Sequence, residues 1–116
     1  MAKNYIQKGD VLTHTATAAV RSGGVVVKGF LVGIAQIDAA IGARVPLAVT
    51  GVWEVPAAAA AITDGAKVYW DANGDPYGGT AGTGAATATA TDNTLMGYAI
   101  EAKALNGATV KVMLDR

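Results

Sequence analysis

The sequence contains no cysteine and only one histidine, one serine and one phenylalanine. The missing cysteines exclude disulfide bonds, thiolate metal ligands and cysteine nucleophiles. A Ser-His-Asp device would have to combine His14 with Ser22, and Ser22 lies in no G-x-S-x-G nucleophile elbow. We expect His14 to be a polar residue on the exposed face of a strand. These absences predict a protein that is not an enzyme and that has no catalytic or metal-ligating residues.

Charge is scarce and balanced, with nine Lys+Arg against nine Asp+Glu, and charged residues make up 16% of the chain. Nucleic-acid binders usually carry a basic excess or a basic stripe, so nucleic acid is not expected as a partner. A surface with so little charge is unusual for a monomer in water. Either the high Ala, Thr and Gly content explains this, or a partner covers part of the surface.

Long hydrophobic runs are also missing. The apolar stretches are short and interrupted by Gly, Lys or Asp, whereas a membrane span needs roughly 20 apolar residues. The first ten residues are polar and lack the apolar region of a signal peptide. We therefore expect no membrane partner and a protein made in a cytoplasm.

The most regular stretch is Arg44–Pro56, in which apolar and polar residues alternate. Val45, Leu47, Val49, Gly51, Trp53 and Val55 would share one face of a half-buried strand. This pattern predicts a central strand with Trp53 in the core and a bulge or close backbone approach at Gly51.

Other short runs of β-branched and aromatic residues predict further strands, at residues 11–16, 25–28, 30–35, 67–70, 95–103 and 110–114. Asn73-Gly74 and Asn106-Gly107 predict hairpin turns. Residues 56–62 favour a short helical turn or an irregular crossover. The predicted fold is all-β, a single domain over 1–116. It is a small, jelly-roll-like β-sandwich or barrel of about eight short strands with at most one helical turn. The Gly/Thr-rich residues 78–91 are expected to be flexible.

Two motifs resemble ligand sites and then depart from them. Asp71-x-Asn73-x-Asp75 resembles the start of a calcium loop, but Pro76 and Gly82 occupy positions that need Gly and Glu. The Gly-rich run 78–84 is not followed by the Gly-Lys-Ser/Thr of a phosphate loop. No metal or other cofactor is therefore expected.

Carboxylates and aromatic residues leave two alternatives open. Glu54 and Glu101 could form the carboxylate pair of a small hydrolase, if the fold brings them together. The aromatic residues could build a sugar-binding platform. Tyr69 is the most interesting of them, because it should lie on the face opposite Trp70 and exposed tyrosines are typical of interfaces.

Several segments, taken in order, resemble the phage capsid cement or head decoration proteins of tailed bacteriophages and prophages. The similarity lies in the opening Met1–Asp10, Gly33-Ile34-Ala35, Asp38–Gly42, Thr50–Pro56, Gly65–Asp71, Gly97-Tyr98-Ala99 and Val110–Leu114. Each segment alone is a weak signal. Together they span almost the whole chain, in a protein of matching length.

The resemblance implies a structural virion protein without catalytic residues. It would be made in the bacterial host cytoplasm, bind the exterior of the phage head and stabilise contacts between major capsid protein subunits. It would act as a homo-oligomer, a dimer or a trimer. A carbohydrate-binding β-sandwich module is the alternative function. We expect the capsid or subunit interface to include Lys3, Asn4, Tyr5, Ile6, Gln7 and Tyr69.

Overall fold

A computed structural model describes residues 11–114. These residues form nine strands and no helix, which confirms the predicted all-β fold. The strands are β1 (Val11–Thr15), β2 (Val25–Lys28), β3 (Leu31–Ala35), β4 (Arg44–Ala48), β5 (Val52–Pro56), β6 (Lys67–Asp71), β7 (Ala85–Thr87), β8 (Thr94–Ala99) and β9 (Thr109–Leu114).

The strands pair into two antiparallel sheets. The first has four strands in the order β1-β4-β3-β2, and the second has five in the order β5-β9-β8-β6-β7. The first four strands in the chain therefore build one sheet and the last five build the other.

The main core lies between the two sheets. Val32 and Ile34 of β3 and Ala48 of β4 pack in one cluster with buried residues of the five-stranded sheet. That sheet contributes Val55, Val68, Trp70, Met96, Ala99, Val110, Val112 and Leu114. Apolar side chains alternate along β9, where Val110, Val112 and Leu114 are buried and the residues between them are exposed. This is the pattern of a strand with one buried face and one exposed face.

A second, smaller core lies on the opposite face of the four-stranded sheet. Val45, Leu47 and Val49 form it together with Ala16 and Ala35. His14 stands opposite Val45 in the β1–β4 pair and is 8% exposed. The prediction that His14 lies on the exposed face of its strand is therefore wrong. The exposed positions of β1 are Val11, Thr13 and Thr15, and His14 shares the other face with Leu12.

The predicted central strand over residues 44–56 is two strands that belong to different sheets. The chain turns at Gly51, which has a φ of 99°, a left-handed conformation that glycine adopts readily. Val49 consequently packs in the second core, whereas Val55 packs in the main core. The alternation of apolar residues continues through the break, and this is why the sequence resembles one strand.

Trp53 is half-buried against the main core, and its Nε1 donates a hydrogen bond to the carbonyl of Thr50 at 2.8 Å. The bond spans the turn at Gly51. The deeply buried tryptophan is Trp70, which is 8% exposed.

The alanine-rich residues 56–62 form an irregular crossover, one of the two outcomes expected for them. Ala57 forms a bridge with Ala86, and Ile62 forms a bridge with Lys103. Residues 78–91 include β7 and its buried Ala85 and Ala86. The flexibility of that stretch stays a prediction.

Candidate interaction surfaces

The predicted contact residues fall in two places. Lys3, Asn4, Tyr5, Ile6 and Gln7 lie outside the described residues, and their role stays a prediction. Tyr69 lies on β6, on the outer face of the five-stranded sheet, with Leu95 and Thr87 beside it in the flanking strands. Trp70 points inward to the core, so the two neighbouring aromatic residues lie on opposite faces.

Tyr69 belongs to a row of exposed and half-exposed apolar residues that we call the outer strip. Val52 of β5 lies opposite Met113 of β9, which in turn lies opposite Tyr98 of β8. Val52 is 51% and Met113 47% exposed. The outer strip consists of Val52, Met113, Tyr98, Leu95 and Tyr69. It runs across β5, β9, β8 and β6, and such an apolar surface is typical of an interaction site.

The charged residues of the same sheet lie beside the outer strip. Glu54 lies opposite Lys111 in the β5–β9 pair, and Lys111 Nζ is 3.5 Å from a carboxylate oxygen of Glu101. The structure thus brings together the two carboxylates considered for hydrolysis, with a lysine beside them. The Lys111 and Glu101 side chains are 47% and 62% exposed, so their ion pair is worth about 0–1 kcal/mol. This is the arrangement of a solvated surface ion pair.

Among the residues that the structure describes, Phe30 is the most exposed large apolar one, at 97%. It stands at the tip of the β2–β3 hairpin, where Lys28 pairs with Leu31 and leaves a two-residue turn. Gly29 has a φ of 63° and Phe30 has no positive φ, so glycine occupies the first central position as a type II′ turn requires. The turn explains Gly29, but neither the turn nor the core needs a phenylalanine at position 30. The sequence signal for this residue is a lone Phe directly after a turn glycine, whereas the sequence pattern predicted only a strand over residues 30–35.

We expect Phe30→Ala to change the free energy of unfolding by no more than about 0.5 kcal/mol, because an exposed side chain contributes little to the monomer. Urea unfolding measures the effect. A large loss of stability would show that Phe30 packs within its own chain.

A groove is lined in part by β2. Its volume is about 310 Å³ and its lining includes Val25, Val26 and Val27, with His14 from β1 and Trp70 from β6. None of the sequence patterns indicated this groove. Its sides come from segments far apart in the chain, and only the folded topology brings them together.

Lys103 is the one buried lysine among the described residues. Its Nζ donates hydrogen bonds to the carbonyls of Ala104 and Gly107, both at 3.1 Å. Its backbone pairs with that of Ile62 through two hydrogen bonds. Through these hydrogen bonds Lys103 connects the turn before β9 with the crossover after β5. Burial lowers the pKa of Lys103 below its ordinary value of 10.5, because desolvation disfavours the charged form.

This lowered pKa gives a pH dependence of stability. Below the pKa of folded Lys103 both states are protonated, and folding includes the full cost of burying a charge. Between that pKa and 10.5 the unfolded state binds more protons, so the stability contributed by Lys103 rises with pH. We expect Lys103→Met to remove this rise. Urea unfolding of both proteins from pH 7 to 10.5 measures it, and identical slopes would contradict the assignment.

The part of the chain that the structure describes contains no cluster of three His, Asp or Glu residues able to hold a metal ion. Residues 11–114 also include no helix of the length and apolarity needed to cross a membrane. The described surface offers the exposed tip at Phe30, the outer strip and the groove beside β2. Exposed apolar surfaces of this kind are typical of proteins that bind other molecules.

The profile of the phage cement protein family matches residues 6–114 of the chain. The chain therefore belongs to the phage cement proteins, as the sequence resemblance predicted. It is a structural component of the phage virion that associates with the capsid. No curated protein and no solved structure matches the chain significantly.

Proposed function

We propose that this protein binds the outer surface of the phage head and stabilises contacts between subunits of the major capsid protein. The family match over residues 6–114 carries this proposal. The whole chain would act as one domain, made in the host cytoplasm and without catalytic activity of its own.

The exposed apolar residues support a protein that joins two neighbours. Phe30 extends from the hairpin of the four-stranded sheet, whereas the outer strip lies on the five-stranded sheet. Two separate contact surfaces allow one molecule to bridge two partners. Many copies on one lattice would also compensate for weak individual contacts through their effective concentration.

We further propose that the protein acts as a homo-oligomer, a dimer or a trimer, with Tyr69 and the N-terminal residues Lys3–Gln7 at a capsid or subunit interface. Tyr69 supports this because it lies at one end of the outer strip, whose other end consists of the exposed residues Met113 and Val52. Light scattering of the purified protein tests the oligomer, and a monomer at all concentrations would contradict it.

Heads that lack the protein test the stabilising role. Heating releases packaged DNA from heads, and we expect added protein to raise the temperature of release, with saturation at a fixed number of copies per head. Phe30→Ala is the matched variant and should require higher concentrations. An unchanged release temperature at saturating protein would contradict the proposal.

A carbohydrate-binding role is the second candidate. Tyr69 and Tyr98 lie on the same outer face, in diagonal positions of β6 and β8, where they could stack on a sugar ring. A glycan array tests this, with Tyr69→Ala as the control variant. The absence of any hit would dispose of this candidate.

A further inference from the structure

The groove beside β2 follows the edge of that strand. Val25, Val26 and Val27 all line it. Successive side chains of a strand point to opposite faces, so one groove contacts all three only if it runs along the edge. Among the strands of residues 11–114, β2 is the terminal one of its sheet, with β3 on its paired side. The groove therefore follows its other edge.

Backbone groups of β2 point into this groove. The carbonyl of Gly24 accepts a hydrogen bond from Ala35 N–H at 2.9 Å, so Gly24 directs its carbonyl towards β3. Backbone groups alternate in direction along an antiparallel strand, so Val26 bonds to β3 while Val25 and Val27 point away from it. Within residues 11–114, no backbone or side-chain group forms a hydrogen bond with these outward groups.

The rest of the lining comes from other parts of the chain. It consists of His14 of β1, residues 16–20, Trp70, Ala72 and Thr83. β1 is the opposite edge strand of the same sheet as β2. The sheet therefore curls until both of its edges border one groove, like a barrel that lacks a strand.

The chemistry of the lining residues limits which segments the groove can bind. It contains no Asp, Glu, Lys or Arg, and its side chains are mainly Ala, Val and Thr. Such a groove favours an uncharged segment, because a charged one would lose hydration without gaining a partner. Main-chain pairing with the outward groups of β2 requires an extended segment.

We propose that the groove accepts an extended, uncharged segment of the major capsid protein, which joins the four-stranded sheet as an added strand beside β2. Main-chain hydrogen bonds to Val25 and Val27 would hold the segment, and the shallow apolar lining would select small side chains. This inference rests on the proposed function and names the part of the chain that holds the capsid.

Val27→Pro tests the proposal, because proline removes an N–H that points into the groove and none that bonds to β3. Proline is tolerated on edge strands, so the variant should fold, as circular dichroism and urea unfolding will verify. We expect its affinity for heads to fall at least about tenfold, the equivalent of 1.4 kcal/mol. Val27→Thr keeps the N–H and should bind within about twofold of the original protein.

A second variant covers the case in which Val27→Pro does not fold. Ala18 is exposed and lines the groove. Ala18→Glu places a charge in the uncharged groove and should reduce head binding about tenfold, whereas Ala18→Ser should not.

The outcomes of these experiments distinguish the groove proposal from the proposed function on which it rests. If the original protein binds heads and both Val27→Pro and Ala18→Glu bind equally well, the groove assignment is wrong and capsid binding stands. If the original protein does not bind heads, the proposed function itself fails.

If Val27→Pro loses oligomers but keeps head binding, the occupant is a second copy and the proposal is overturned. If deletion of residues 2–7 reproduces a loss of stability seen in Val27→Pro while head binding persists, the occupant is the chain's own N-terminal segment, which also overturns it.

Discussion

Replacing Trp70 by alanine is expected to lower the free energy of unfolding by about 3–5 kcal/mol. Trp70 lies in the main core at 8% exposure, among residues of both sheets. Its ring also packs against the backbone of Gly84, where an added Cβ would come within 2.6 Å of the indole. Alanine would leave a cavity, because the closely packed neighbours of Trp70 cannot move far enough to fill it. Urea unfolding measures the loss.

Trp53→Ala is the matched comparison within the same chain. Trp53 is only half-buried, and it retains solvent contact beside the turn at Gly51. We expect its replacement to cost about 1–2 kcal/mol, from lost contact area and the hydrogen bond to Thr50. An equal or greater cost for Trp53 would contradict the assignment of Trp70 as the central core residue.

Replacing Gly97 by alanine is expected to cost about 3 kcal/mol or more. Gly97 lies in β8 between Val68 of β6 and Leu114 of β9. A Cβ at this position would overlap the carbonyl of Met113, which is backbone and cannot rotate away. The β6–β8 register also shifts between Val68 and Tyr69, next to this position. Two central strands would therefore have to separate to admit one methyl group.

Gly65→Ala serves as the control for Gly97→Ala. A Cβ at Gly65 would meet no atom within 4 Å, but the residue has a φ of 82°. The conformational penalty alone is roughly 1–2 kcal/mol. A loss at Gly97 no larger than the loss at Gly65 would show that β8 and β9 are not packed as closely as described.

The sequence predicted the strands well because local patterns determine them. β2 was predicted at its observed bounds, and β1, β3, β6 and β9 within one residue at each end. β8 begins one residue before the predicted start and ends at Ala99, earlier than the predicted residue 103, because the chain then turns to bring Lys103 beside Ile62. A local pattern holds no information about that long-range pairing.

Long-range topology is also the reason for the error at residues 44–56. A period of two describes which side of the local backbone is buried, but not which sheet the strand joins. Gly51 was recognised as a break, and its positive φ turns the chain into another sheet. His14 was misplaced for a related reason. The alternation along β1 separates Thr13 from His14, but it does not say which of the two faces is covered, and the second core covers the face that Leu12 and His14 share.

The interaction surfaces were the least predictable part. The sequence placed Tyr69 opposite Trp70, which follows from alternation alone. The outer strip required the pairing of β5, β9, β8 and β6, and the groove required the curvature of the first sheet. Each depends on residues distant in the chain. The family resemblance, in contrast, was visible from short segments and is confirmed by the match over residues 6–114.

Binding to the phage head is the central claim, and co-sedimentation tests it most directly. The purified protein would be mixed with mature, expanded heads that lack it, with unexpanded proheads as the control. We predict saturable binding to the expanded heads at a fixed copy number and none to the proheads. Absence of binding to the expanded heads, with the protein folded and in excess, would contradict the account.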